Sequence, residues 1–171
     1  MRTLPAVTEL IDQLATQVRP HIRPDTVLVG IHTGGVWVAE ALHARLAPYG
    51  LALPPASIDV SFHRDDHHLG SGLKAAGQIS HLPDNVAGAH LILVDDVLYT
   101  GRTIRAALNE IFDYGRPARV DLAVLVDRGG RELPIAATWC AYTLSQPLPA
   151  SQSFNLQRDT NGELNFSLSE K

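Results

Sequence analysis

The stretch HLILVDDVLYTGRTIRAALNEIFDYG (residues 90–115) runs from an apolar segment through two adjacent carboxylates and a Thr-Gly-Arg-Thr turn into a helical pattern. HLILV (90–94) is short and continuously apolar, which predicts a strand buried on both faces. TIRAALNEIFDYG (103–115) predicts a helix, with Gly115 and Pro117 as its stop. A buried strand that hands over to a helix is the unit of a parallel sheet. Adjacent Asp residues repel each other, and a buried strand end is a poor place for either. Asp95 and Asp96 make sense there if something polar is held beside them.

The same alternation extends in both directions. TVLVGI (26–31) predicts a second buried strand, followed by HTGG and the helical run VWVAEALHARL. ASIDVSFH (56–63) alternates and predicts a strand, and RVDLAVLVD (119–127) predicts another buried one, followed by RGGRELP. TWCAYTL and strand-like pieces in a polar C-terminal part complete the chain. Leu4, Val7, Leu10, Ile11, Leu14 and Val18 recur at helical spacing, so 4–18 reads as an amphipathic helix closed off by Pro20 and Pro24. Residues 64–85 read as a long polar loop, a length usually reserved for function or movement. In parallel sheets ligands bind outside the carboxyl ends of the strands. HTGG, DDVLYTGRT and DRGGRE all fall on that edge, and all are rich in Gly and polar groups.

Composition narrows the classes. The chain has 171 residues, of which 45% are hydrophobic and 19% charged, which fits one packed domain and argues against wholesale disorder. The net charge of −4 does not advertise a nucleic-acid binder, although a local basic patch is compatible with it. Lys occurs only at 74 and 171, so the cations are mostly Arg, which suits bidentate phosphate contacts. Cys140 is the one cysteine; it excludes an internal disulfide and a thiolate zinc cluster, and reads as a small buried filler. The first residues lack an apolar h-region, so no signal peptide is expected, and no run is long enough for a membrane helix. A cytoplasmic protein is the expectation.

Thr100-Gly101-Arg102-Thr103 sits where a strand meets a helix start. Unpaired N–H groups and the positive end of the helix dipole make an anion site there. Gly101 permits close backbone approach, and Thr100 and Thr103 add hydroxyl donors. The Gly-Lys-Ser/Thr of a Walker loop is absent. Vicinal sugar hydroxyls donate hydrogen bonds that Asp95 and Asp96 can accept. Magnesium carried on a pyrophosphate would also favour those acids.

These residues carry a resemblance. LILVDDVLYTGRT (91–103) is similar to the phosphoribosyl pyrophosphate motif of the type I phosphoribosyltransferases. YGRPARVDLAVLVDRGGRELPI (114–135), LVGIHTGGVWVAEAL (28–42) and IDVSFHRDD (58–66) resemble the branch that combines uracil phosphoribosyl transfer with regulation of pyrimidine operons. The resemblance spans about 28–135. It implies an α/β fold, a mostly parallel twisted sheet flanked by helices, with a small C-terminal hood. It also implies one domain over 1–171, with a core of about 20–135 and a hood of about 136–171 plus the N-terminal helix.

The implied reaction joins uracil to the ribosyl group of phosphoribosyl pyrophosphate, giving UMP and pyrophosphate, with Mg. The resemblance assigns phosphoribosyl pyrophosphate to Asp95, Asp96, Val97, Leu98, Tyr99, Thr100, Gly101, Arg102 and Thr103. The acids would hold the ribose hydroxyls and, through substrate, the metal; the turn would hold the 5′-phosphate. Pyrophosphate falls to His32, Thr33, Gly34 and Gly35. Many relatives have a basic residue followed by Thr-Arg-Gly there, so this chain would lean more on backbone N–H groups. Arg64 opens the loop that closes over the reacting centre and is the candidate to meet pyrophosphate. Arg128 and Phe154 are the candidates for the base, Phe154 by stacking or else as core. His67 and His68 beside Asp65 and Asp66 read as a solvated loop, not a metal site. Arg105, Arg116, Arg119, Arg128 and Arg131 are the candidates for a leader-RNA surface, with acids interspersed among them. RGGRE (128–132) reads equally as a turn salt bridge. A nucleotide-sensing attenuator with little catalysis, and a transferase for another base, stay open. A homo-oligomer is implied.

Overall fold

The computed structural model describes residues 5–61 and 80–170. Helix α1 (Val7–Val18) precedes β1 (Thr26–Ile31), α2 (Gly34–Leu46) and β2 (Ala56–Ile58). Then come β3 (His90–Leu98), α3 (Arg102–Tyr114), β4 (Arg119–Asp127) and β5 (Trp139–Thr143), and last β6 (Gln152–Arg158) and β7 (Leu164–Glu170). The first five strands form one all-parallel sheet in the order β2-β1-β3-β4-β5, while β6 and β7 form a separate antiparallel hairpin.

The apolar strands are continuous because both sheet faces are covered. Leu28, Ile92, Val94, Ala123 and Leu125 pack with α1 and α2. Their neighbours Val27, Val29, Leu91, Leu93, Leu122 and Val124 pack with Ile104, Ala107 and Ile111 of α3. Alternate residues of one strand therefore feed two cores, which is the pleat applied to a doubly covered sheet. Phe154 and Leu156 of the hairpin join the α1 side.

Helix ends differ from the sequence reading by one to three residues, α1 starting at Val7 and α2 at Gly34, and three strand assignments differ for a local reason. β3 does not stop at residue 94. After its partner β1 ends, Asp95, Val97 and Leu98 stay in register with Val124, Val126 and Asp127 of β4. β2 is only three residues long, because the Asp59 carboxylate accepts the Ser61 N–H at 2.9 Å and the Asp59 N–H turns to Ser80 Oγ at 3.0 Å. Residues 62 and 63 of the expected strand lie outside the described residues. β5 falls within the range assigned to the hood, yet pairs with β4 as the edge of the core sheet. Cys140 in β5 is half-buried, with Sγ 3.2 Å from the Tyr142 carbonyl.

Strand order reverses between β1 and β3: β1 leads outward to β2, and β3 leads the opposite way to β4 and β5. Such a switch point leaves a crevice between the carboxyl ends of the two central strands. At the other end of the sheet lies a closed polar node. His90 is 2% exposed, with Nδ1 2.9 Å from Thr26 Oγ1 and Nε2 2.8 Å from Asp121 Oδ2. Arg119 donates to both Asp121 oxygens, at 2.7 and 2.9 Å. The Arg119 hydrogen bonds outweigh burial and hold the Asp121 carboxyl down to about 2. Its unfolded value is 3.8, so this stabilisation is complete above about pH 5 and lost as pH falls towards 2. Asp121→Asn is expected to cost about 2 kcal/mol at pH 7, with the gap to wild type closing between pH 4 and about pH 2. Urea denaturation across that range measures it; a gap independent of pH would remove the carboxylate's role.

Candidate active site

Two loops flank the crevice at the switch point. On the β1 side, the His32 N–H donates to the Ile58 carbonyl at 2.9 Å, which ties the loop to β2. The His32–Thr33 peptide is cis. Helix α2 then starts at Gly34, with Gly35 buried. The two glycines let the helix start lie directly on β3. A Cβ on Gly34 would stand 2.5 Å from Asp96 Oδ2, and one on Gly35 would strike the Val94 carbonyl and stand 3.2 Å from Asp95 Cα. The sequence expectation placed His32, Thr33, Gly34 and Gly35 in one loop; the structure puts Gly34 and Gly35 in the first turn of α2 and sets that helix start against the acid pair.

The acids differ from each other. Asp95 is 7% exposed, and its Oδ1 accepts the Asp96 N–H at 3.0 Å. Asp96 is half-buried, with its carboxylate against Gly34. Val97 and Leu98 continue the strand, and Leu98 is core. Residues 99–101 form the turn. Gly101 caps α3 with φ +93°, a left-handed conformation that disfavours other residues. The Thr100 hydroxyl accepts the Arg102 N–H at 3.2 Å, and α3 points its first turn at the crevice end of β3. Early helix N–H groups have no partner within the helix, so the start of α2 presents an anion-binding end beside Asp95 and Asp96, and the start of α3 presents another where the turn after β3 ends.

The strand end after β4 braces the turn. The N–H groups of Glu132 and Leu133 donate to the Thr100 carbonyl at 3.0 and 3.1 Å. Arg102 Nε reaches Glu132 at 2.8 Å. Arg131 donates to the Tyr99 carbonyl and to Asp127, each at 2.5 Å. The salt-bridge reading of RGGRE (128–132) matches the Arg131–Asp127 pair, while its bonds to Tyr99 and Thr100 join segments about 30 residues apart and had no local signal.

The remaining candidates are distributed as follows. Arg128 is 4% exposed and lies over the Tyr99 ring, 4.0 Å from its centroid. Phe154 is 7% exposed and stacks on Phe166 at 4.4 Å. It also lines a cavity of about 780 Å³ that none of residues 32–35 or 95–103 borders. Arg64, with Asp65, Asp66, His67 and His68, lies outside the described residues. Of the RNA candidates, Arg128 and Arg131 are turned inward and Arg119 is paired with Asp121, which leaves Arg105 and Arg116. No group of three or more metal-ligating side chains occurs among the described residues, and no described helix is long and apolar enough to cross a membrane.

Comparison with known proteins agrees with this architecture. The model of the phosphoribosyl transferase domain matches residues 2–155. A Pseudomonas aeruginosa relative, "Bifunctional protein PyrR", is 50% identical over 147 residues, covering 84% of each chain. A Pseudomonas putida protein of the same name is 48% identical over 84% of this chain and 83% of its own. Among solved structures, the HGPRT-ase of Leishmania tarentolae in complex with GMP superposes with TM-score 0.65 at 19% identity, over 86% of this chain and 82% of that one. A purine phosphoribosyltransferase from Pyrococcus horikoshii gives TM-score 0.60 at 22% identity, over 82% and 84%. Identity that low speaks for the shared fold alone.

Proposed function

We propose that this chain, which belongs to the phosphoribosyltransferase family, transfers the phosphoribosyl group of phosphoribosyl pyrophosphate to uracil, forming UMP and pyrophosphate. One observation carries the reading of the site: the Asp96 carboxylate lies against Gly34 at the start of α2, and the strand that bears the acids leads through residues 99–101 into the start of α3. A substrate with phosphate at both ends and hydroxyls in the middle fits that order of groups. The 5′-phosphate would take the turn Thr100, Gly101, Arg102 and Thr103, with Tyr99 as its support. The ribose hydroxyls would donate to Asp95 and Asp96, and the pyrophosphate would lie on the backbone of His32, Thr33, Gly34 and Gly35.

In the transfer the bond from ribose C1 to pyrophosphate oxygen breaks and the bond from C1 to uracil N1 forms. Pyrophosphate leaves with the electron pair of the C1–O bond, and the uracil N1 proton passes to water or to the departing pyrophosphate. Alignment between two anchored phosphates, with carboxylates beside the positive sugar centre, supplies the rate without a strong base. Enzymes of this family generally use Mg with phosphoribosyl pyrophosphate. Two acids with no third ligating side chain grouped with them among the described residues suit an ion held mostly by substrate oxygens, as is usual for Mg. When bound, Mg would neutralise charge on the leaving pyrophosphate. Arg64, which lies outside the described residues, remains the candidate to meet that pyrophosphate.

The uracil reading rests on the likeness of 114–135 to the pyrimidine branch and on relatives named as bifunctional PyrR proteins. A cytoplasmic homo-oligomer fits the same reading. Comparing turnover with uracil and with hypoxanthine tests it: uracil is expected to be used at least about 100-fold more efficiently, a gap that pocket hydrogen bonding can supply. Faster turnover of hypoxanthine would overturn it. A second, regulatory function on RNA is what the resemblance of residues 28–135 to the operon-regulating branch implies, with Arg105 and Arg116 as its remaining candidate contacts. Binding of pyrimidine-operon leader RNA at low salt with UMP is its readout, and no binding there removes it.

A further inference from the structure

Tyr99 opens the phosphate turn, and an arginine from the next strand end holds its ring. The Arg128 guanidinium lies 4.0 Å from the ring centroid, and Gly130 sits against the ring edge, where a Cβ would be 2.5 Å from Cε2. Gly130 adopts φ +80°, so the backbone that brings it there also disfavours any other residue. Arg131 fixes the Tyr99 carbonyl. The other side of Arg128 faces the hood: Nη2 donates to the Gln152 carbonyl at 3.2 Å and to the Pro149 carbonyl at 3.5 Å. Its Nε is buried with no hydrogen-bond partner among the described residues, and the whole residue is 4% exposed. A cation buried to that degree is expected to be held by what surrounds it, which here is one aromatic ring and two carbonyls of another segment.

We infer that Arg128 is a positioning residue that couples the hood segment 149–152 to the 5′-phosphate turn through Tyr99, and does not itself contact the base. Tyr99 is covalently next to Thr100, so any shift of the turn on phosphate moves the ring. The ring carries the guanidinium, and the guanidinium carries the Pro149 and Gln152 carbonyls at the start of β6. Filling the phosphate turn and setting the hood are then one event, and base affinity depends on whether the phosphate site is occupied. The inference rests on the sugar-phosphate reading of the turn.

The test is a double-mutant cycle on the full chain with Arg128→Gln, Tyr99→Leu and the pair, read by KM for phosphoribosyl pyrophosphate, KM for uracil, and calorimetric affinity for ribose 5-phosphate. Each single variant is expected to raise both KM values and weaken ribose 5-phosphate about tenfold, as loss of a desolvated cation–π contact does. The pair is expected to be no worse than the weaker single variant by more than about threefold, because both remove one linkage. Tyr99→Phe keeps the ring, so Arg128→Gln is expected to lose as much in that background as in the wild-type chain, whatever Tyr99→Phe costs by itself. If Arg128→Gln raises only the uracil KM, with unchanged ribose 5-phosphate affinity and an additive pair, Arg128 contacts the base directly and the inference fails. Should Arg128→Gln not fold, Arg128→Lys replaces it in the cycle, keeping the cation and losing the second donor. If wild type binds ribose 5-phosphate but makes no UMP, the uracil reading alone falls, and the affinity cycle decides the coupling.

Discussion

Exchanging Asp95 and Asp96 together for Asn is expected to lower kcat/KM for UMP formation by about 10²–10⁴-fold. The estimate comes from hydrogen bonds to charged acceptors, each contributing about 1.5–3 kcal/mol, of which the ribose would lose two. The two acids should not share the loss equally. Asp95 is nearly buried and already accepts the Asp96 N–H, a bond that the Asn carbonyl oxygen can keep. Asp96 is more open and stands against the loop at Gly34, so Asp96→Asn alone should carry the larger part. Stability is expected to change by less than about 1 kcal/mol, since Asn is isosteric and no packing is lost. Steady-state kinetics beside a thermal melt separates the two effects. Full activity in the double variant would remove the role given to the pair.

The parts of this molecule that were legible in the sequence are those where neighbours in space are neighbours in the chain. TVLVGI and RVDLAVLVD became β1 and β4 with their expected limits, because a strand covered on both faces needs apolar residues without a break. Helix α3 shifted by only one residue at each end, its start set by Gly101. The acid pair and the turn before α3 could be placed together because one contiguous stretch supplies them. β3 was underestimated since carboxylates normally end a buried strand, whereas backbone pairing with β4 carries this one past them. Arg128, Arg131 and Phe154 were harder. Their surroundings come from Tyr99, from carbonyls at 149 and 152, and from Phe166, and nothing local to each residue announces those partners. A charged side chain in a Gly-rich turn has the same local appearance whether it meets solvent, RNA, a base or an aromatic ring.

Gly34 and Gly35 separate function from stability at adjacent positions, and Gly35→Ala is expected to produce the larger structural effect. Its Cβ would collide with the Val94 carbonyl and stand within 3.3 Å of Val94 C, both backbone atoms of a central strand that is paired with β1 and β4. Neither strand nor helix start can yield cheaply, so a loss of about 2–3 kcal/mol is expected, or a Tm lower by about 4–12 °C. At Gly34 the obstacle is the Asp96 carboxylate, at 2.5 and 2.7 Å for Oδ2 and Cγ, and a side chain can turn aside. Gly34→Ala should therefore leave the melt within about 1 kcal/mol of wild type while displacing an acid proposed to hold the ribose. Activity is expected to fall about 10–100-fold, since misplacement by about 1 Å carries that effect. The Asp96→Ala background makes the distinction quantitative. Removing the carboxylate leaves the Gly34 Cβ without its obstacle, so the stability cost of Gly34→Ala should vanish there. The cost of Gly35→Ala should persist unchanged, because the strand backbone it meets is still in place. If both costs persisted, the contact between the α2 start and Asp96 would not be what fixes glycine at position 34.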